Sequence, residues 1–384
     1  MSYQNVGTPR FYIDGGVYID AVGGMAVSSS NEKRLFLLNP SWGNHDWTLD
    51  ASAGGAEDKA FESYNTSSGT RPLLFSYNYV ALLGHNFHKN LGAPNDNNAN
   101  DYQNVYCSLK AENTPYGQGW AHVDPDIQQL ASLSNVTYHA NCDVSSFGFT
   151  PTKNGYCVVA NAPENPFFDD INPEVPDNPA PYTTVQRVQR LLLRTINKSD
   201  YDANLRLSTM SAGWTYEMPF APDLNLSLSY EYDGIKTTKT RGGATLTNRT
   251  WTHRPHWDIF QSWSDHPSSA ETTVSRSFQN SGRRVWDLSF SYMSDSDLMP
   301  SQFIGNAGDD MLDYRGGSFG WGMMYNNFYT RVIAGTLGGS LPFIFQPDKD
   351  VEDFAIARFD MKSFKIEQTA PNLYNIKLKI RESW

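Results

Sequence analysis

The chain has 384 residues, enough for two or three domains or one large core with insertions. Its 41 acidic side chains outnumber 30 basic ones, giving a net charge of −11. That argues against specific nucleic-acid binding, which needs a basic face, and suits a surface that lets DNA pass without holding it. Aromatic residues make up 14% of the chain and all apolar residues only 39%, with Asn, Ser, Thr, Gly and Pro filling much of the rest. Aromatic and β-branched side chains fit pleated surfaces, while Gly, Pro and Asn make turns, so the composition predicts an all-β protein with long polar loops. Cys107, Cys142 and Cys157 are odd in number and lack metal-ligand spacing, so no disulfide framework is expected and assembly in a reducing cytoplasm is the simpler reading. No run approaches the ~20 apolar residues of a membrane span, and the N-terminal stretch lacks a basic segment followed by an apolar one.

Residues 9–40 read as short strands: "RFYIDGGVYIDAV" has a Gly-Gly turn between two similar halves, and "RLFLLNPSW" follows. Residues 41–70 are polar and Gly/Ser-rich, which marks a loop. From 71 to 160, apolar runs such as "LLFSYNYVALL", "VYCSLKA" and "GYCVVANAP" alternate with polar loops, the habit of a β-sandwich. Six prolines in residues 162–182 remove donors and fix φ, so this segment reads as an extended connector. "VQRVQRLLLRTI" fits a helical face and also a strand, and the strand reading is preferred. "LNLSLSYEY", "VWDLSFSYM" and "YNIKLKIRESW" alternate strictly, so each is a strand with one buried and one wet face. "RPHWDIFQSW" and "SDSDLMPSQFI" are candidates for short helices.

The one local cluster that draws a chemical reading is "NYVALLGHNFHK", where Gly84, His85, Asn86 and His88 follow an apolar run. Two histidines three apart share a face only on a helix, and here they follow a β-like run and a glycine. With no carboxylate or cysteine at ligand spacing, Gly84, His85 and Asn86 read as a structural turn at a strand end, with zinc ligation as the rival. The remaining histidines are scattered, and Asp96, Asp101, Asp295 and Asp297 lack the glycine and terminal glutamate of a calcium loop. The pairs Asp169–Asp170 and Asp309–Asp310 have the residue type of glycosidase carboxylates, but acidic loops offer such pairs routinely. No phosphate-binding, dinucleotide-binding, nucleophile-elbow or zinc-protease motif occurs. No metal, cofactor or catalytic residue is therefore expected.

The C-terminal third carries a resemblance. "SGRRVWDLSFSYMSDSDL" is followed by "GGSLPFIFQPDKDVEDFAIARF" and "SFKIEQTAPNLYNIKLKIRESW". This order resembles minor tail and distal tail proteins of long-tailed bacteriophages, which pair an F-x-F-x-P-D segment with a final "l-k-i-r-E" strand. "MSYQNVGTPRFYID" and "FLLNPSW" also look like structural proteins from marine phage genomes, and "YVALLGHNF" is similar to a strand-turn of galactose-binding-like jelly-roll modules in phage tails. The resemblance covers about half the chain.

It implies antiparallel sandwich or barrel domains of tail-tube type with an inserted jelly roll. The division is an N-terminal β segment and loop (1–70), a jelly-roll-like sandwich ending in the Pro-rich connector (71–182), and a tail-tube-like domain (183–384). It further implies a virion protein at the tail tip, assembled as a homo-oligomeric ring, by analogy a hexamer, that joins the tail tube to baseplate or fibres. Tail tube, tape measure, hub and fibre proteins would be its partners. A host-surface glycan is the alternative partner, stacked on aromatics such as Tyr102, Tyr106 or Trp120. Candidate subunit-interface residues are Arg283, Arg284 and Arg381, beside alternating strands, with Phe343 and Phe345 of the "PFIF" strand; ordinary surface charge is the competing reading of the arginines.

Overall fold

The computed structural model describes residues 6–15, 25–26, 38, 47–49, 57–64, 77–85, 87, 106–115, 128–130, 136–145, 148–152, 155–162, 185–195, 205–224, 226–231, 235–249, 283–299 and 326–383. Among them strands account for 57% and helix for 7%, which makes this an all-β, mostly antiparallel protein. The expected helix in "RPHWDIFQSW", the connector beyond residue 162, and His88 lie outside the described residues.

Eleven strands form the main sheet. In chain order they are β1 (Arg10–Asp14), β2 (Tyr79–His85), β3 (Tyr138–Ala140), β4 (Gly155–Ala160), β5 (Thr209–Glu217) and β6 (Ser227–Glu231). Then come β7 (Arg283–Ser294), β8 (Phe343–Gln346), β9 (Ala355–Phe359), β10 (Ile366–Ala370) and β11 (Leu373–Glu382). Their order across the sheet is β6-β7-β11-β9-β8-β1-β5-β2-β4-β3, and β10 pairs with β11. The sheet thus takes strands from all three segments drawn on the sequence, and β1 lies between β8 and β5, strands more than 190 residues away along the chain. Pairing, not chain position, groups these strands.

Two cores sit on opposite faces of this sheet. Successive side chains point to opposite sides of a strand, so on β1 Phe11 and Ile13 enter one core and Tyr12 the other. On β8, Phe343 and Phe345 join the first core and Ile344 the second. The first core gathers β7, β11 and a short π-helix, Tyr329–Ala334, which buries Val332 and Ile333. The second gathers β2, β3 and β4, with Phe354 beside Tyr12, Tyr138 and Tyr156. The central strands are therefore apolar on both sides and show no alternation, whereas β11 buries Ile376, Leu378 and Ile380 and leaves Lys377 exposed.

A seven-stranded second sheet includes Val185–Thr195, so the segment that fits either period is a strand here. Asn141, at φ 55°, turns the chain from β3 of the main sheet into Cys142–Ser145 of the second. From there the Cys142 thiol reaches back to the carbonyl of Val158 at 3.6 Å. All three cysteines are buried free thiols. Burial raises each thiol above its ordinary value, Cys142 to about 12, and keeps it protonated. Of the helical reading of "SDSDLMPSQFI", Asp295–Leu298 forms a single turn, capped by the Ser294 hydroxyl accepting from the Asp297 N–H.

Candidate interaction surface

The strand end at His85 shows how local chemistry is spent. Gly155 opposes His85 and Tyr156 opposes Leu83, so Gly84 has no opposite number and forms a bulge. Its φ of 67° is the left-handed value that glycine reaches without strain. The bulge turns His85 inward, fully buried, where Nδ1 accepts the Phe87 N–H at 3.4 Å and the ring stacks on Phe87 at 5.0 Å. Asn86 lies outside the described residues. Among those residues no group of three or more His, Cys, Asp or Glu is placed to hold a metal.

The five interface candidates fall in two places. Phe343 and Phe345 are fully buried in the subunit's own core, in contact with Phe11, so their surface is consumed by the fold. Arg284 is interior too. Its guanidinium donates to both oxygens of Asp353 at 2.8 and 3.0 Å, to the Phe354 carbonyl at 2.8 Å and to Glu382 at 3.3 Å, and it lies over the Trp286 ring. Burial alone would lower its pKa, but Glu382 and Asp353 outweigh that and raise it, so the group is always charged.

One step along β7 reverses the side. Val285 opposes Arg381 and Arg358 opposes Arg381, which puts Arg283, Arg358 and Arg381 on the face turned away from Arg284. With Asp360, Glu382 and Ser383 they line a cleft of about 240 Å³. Arg381 is bound to Glu231 of β6 at 2.9 Å, and Lys379 to Asp360 at 3.0 Å. Arg358 was missed in the sequence because nothing there reveals that β9 pairs with the last strand.

β6 closes the main sheet at this end; among the described residues only β7 pairs with it. Leu228 packs inward against the first core, while Ser227, Ser229 and Tyr230 are exposed, as is Leu224 just before the strand. Three residues later the chain forms a hairpin, Ile235–Lys239 with Thr245–Arg249, which among the described residues pairs with no other strand. Its tip is tied by the Thr240 N–H donating to Ala244 O at 2.8 Å and the Ala244 N–H donating to the Thr240 hydroxyl at 3.1 Å. Every residue from Lys236 to Asn248 is exposed. A two-stranded ribbon is marginal in water by itself, and an edge strand offers unpaired N–H and C=O groups to another chain. Edge and hairpin together are the part of the described surface least explained by the monomer.

A second exposed feature joins β8 to β9. "PDKDVED", residues 347–353, holds four carboxylates and one lysine. The Gln346 amide holds this loop by donating to the carbonyls of Lys349 at 3.2 Å and Val351 at 2.9 Å, and its oxygen accepts from the Tyr12 hydroxyl at 2.8 Å. Lys349 is itself bound to Glu217, which also receives Arg10 at 3.0 Å. Burial would raise Glu217, but these two cations outweigh it and hold the carboxyl below its ordinary value. Asp350, Val351 and Glu352 stay exposed on this fixed loop.

Tyr102 and Trp120, offered as sugar-stacking aromatics, lie outside the described residues, as does the side chain of Tyr106. No helix among the described residues is long and apolar enough to cross a membrane, which says nothing of strand-built barrels. Comparison of the chain with protein-family models, with curated proteins and with solved structures gave no match in any of the three.

Proposed function

We propose that this chain is a structural subunit of a tailed-phage virion, a distal-tail or tail-tip ring component joining the tail tube to baseplate or fibres. The observation that carries the assembly part of this reading is the β6 edge, which among the described residues pairs with β7 alone, followed by a hairpin exposed from Lys236 to Asn248. Antiparallel sheets whose edges pair with neighbours build closed walls, and rings of identical subunits are the ordinary way to close them. The phage assignment rests on the order of the C-terminal segments, "PFIFQPD" to "IKLKIRESW". The acidic balance fits a wall along which DNA must slide rather than adhere.

Electron microscopy of the purified full chain is the direct test. Rings of uniform diameter are expected, and isolated monomers across the accessible concentration range would overturn the proposal. The phage assignment has its own check, since a tape-measure gene is expected beside the gene for this chain.

A further inference from the structure

The hairpin and the 347–353 loop are opposites in charge and alike in exposure. Lys236, Lys239 and Arg241 project from residues 235–249, a stretch that contains no acidic residue, on a chain of net charge −11. Thr238 opposes Leu246 and Lys239 opposes Thr245, so Lys236 shares a face with Leu246, Lys239 lies on the other face, and Arg241 stands at the tip. Positive charge thus surrounds the ribbon. A side chain added at Gly242 or Gly243 would meet nothing within 4 Å, so the tip is open at these two positions.

The arm does not meet the acidic loop of its own chain. Lys236, Lys239, Arg241, Asp350 and Glu352 are all exposed, as they would not be if arm and loop were packed together. The arm also carries Leu246 at 59% exposure, and the loop carries Val351 at 51%. Each feature therefore combines charge with one apolar side chain, as a small docking pair requires. The loop is held by Gln346, by the Lys349–Glu217 pair and by the Arg284–Asp353 pair, so docking on it needs little ordering.

We propose that the hairpin Ile235–Arg249 is a docking arm that seats on the acidic loop 347–353 of a second copy of this chain. Arm and loop are different patches, so the contact is head-to-tail and propagates around a ring instead of stopping at a dimer. This deepens the ring reading above and depends on it. It predicts that association weakens as salt rises, because the contact is made by exposed charges.

The test uses the full chain and light scattering behind size-exclusion chromatography, at low salt and at about 1 M salt. Wild-type protein should self-associate at low salt and dissociate at high salt. The arm variant Lys236→Glu/Lys239→Glu/Arg241→Glu and the loop variant Asp350→Lys/Glu352→Lys should each bind themselves about 100-fold more weakly, since like charges then face each other. Mixed together, the two variants should associate again. Carbodiimide coupling of an isotope-labelled and an unlabelled copy should join Lys236 or Lys239 of one to Asp350 or Glu352 of the other. An arm-reversed chain that still assembles like wild type would overturn the docking arm and leave the ring reading standing. Wild-type chain that stays monomeric at every salt concentration would overturn both.

Discussion

Replacing Arg284 with alanine is expected to cost about 3–5 kcal/mol of stability. The magnitude follows from which partners lose their cation. The Asp353 side chain is 50% exposed, so that half of the fork contributes at most about 1 kcal/mol. Glu382 is different: its side chain is 2% exposed and the guanidinium lies 3.3 Å away. Without Arg284 this buried carboxylate keeps the backbone N–H of residue 284 but loses the cation beside it, and the Phe354 carbonyl loses a donor. Urea titration followed by tryptophan fluorescence measures the loss, because Trp286 is in the core next to the site. The cycle with Glu382→Gln isolates the charge term: the double variant should recover about 2 kcal/mol or more of the loss. A loss under about 1 kcal/mol, or a coupling near zero, would show that Arg284 is an ordinary surface cation after all.

Four further outcomes follow from the same structure. Phe345→Ala should destabilise by about 3–5 kcal/mol in the same titration, since the ring is fully buried between Phe11 at 5.3 Å and Trp286 at 5.1 Å; an effect under 1 kcal/mol would remove it from the core. Gly213→Ala should lose about 1–3 kcal/mol or more, because a Cβ there would stand 1.9 Å from the Ile13 carbonyl oxygen and force β1 and β5 apart. Gly84→Ala should cost about 1 kcal/mol at its φ of 67°, read as a lower melting temperature. Alkali should unfold the protein: burial raises Tyr12 from 10.0 to about 12, so the folded state keeps a proton that the unfolded chain sheds. Stability is then fully present below pH 10 and falls by roughly 3 kcal/mol from this group as pH climbs to about 12, while a flat pH profile over that window would refute the assignment.

Alternation was readable where one face of a strand meets the core and the other meets water; in "LNLSLSYEY" only Leu226 and Leu228 pack against the core, while Leu224 and Tyr230 are exposed. "VWDLSFSYM" and "YNIKLKI" have the period and form the strands β7 and β11, but the alternation of β7 breaks after Phe290, where a register shift turns Tyr292 out to solvent and Met293 into the core. Gly84 was readable for a backbone reason, since an apolar run that ends in glycine can turn there. The short π-helix left a weaker trace: Phe328, Val332 and Ile333 recur at helical spacing, within a segment too short to stand out.

Whereas Trp47–Leu49 and Glu57–Tyr64, within the stretch read as loop, are strands, what the amino-acid order determined by itself is the β class, the wet and dry faces of β11 and the turn at Gly84. Those are local properties, set by side-chain polarity at period two and by backbone freedom at single residues. The tertiary structure alone decided the rest. Arg283 and Arg284 are neighbours of the same type, yet one faces a cleft and the other is buried, because only the pairing of β7 with β11 says which side is core. Phe343 and Phe345 read as subunit-interface candidates and are interior to the subunit, because their strand is paired with β1, from the far end of the chain, and lies between two cores. Charge opposition between residues 236–241 and 348–353 is present in the letters, but its meaning depends on both segments standing exposed at once. Exposure is a property of the folded surface, which no local pattern carries.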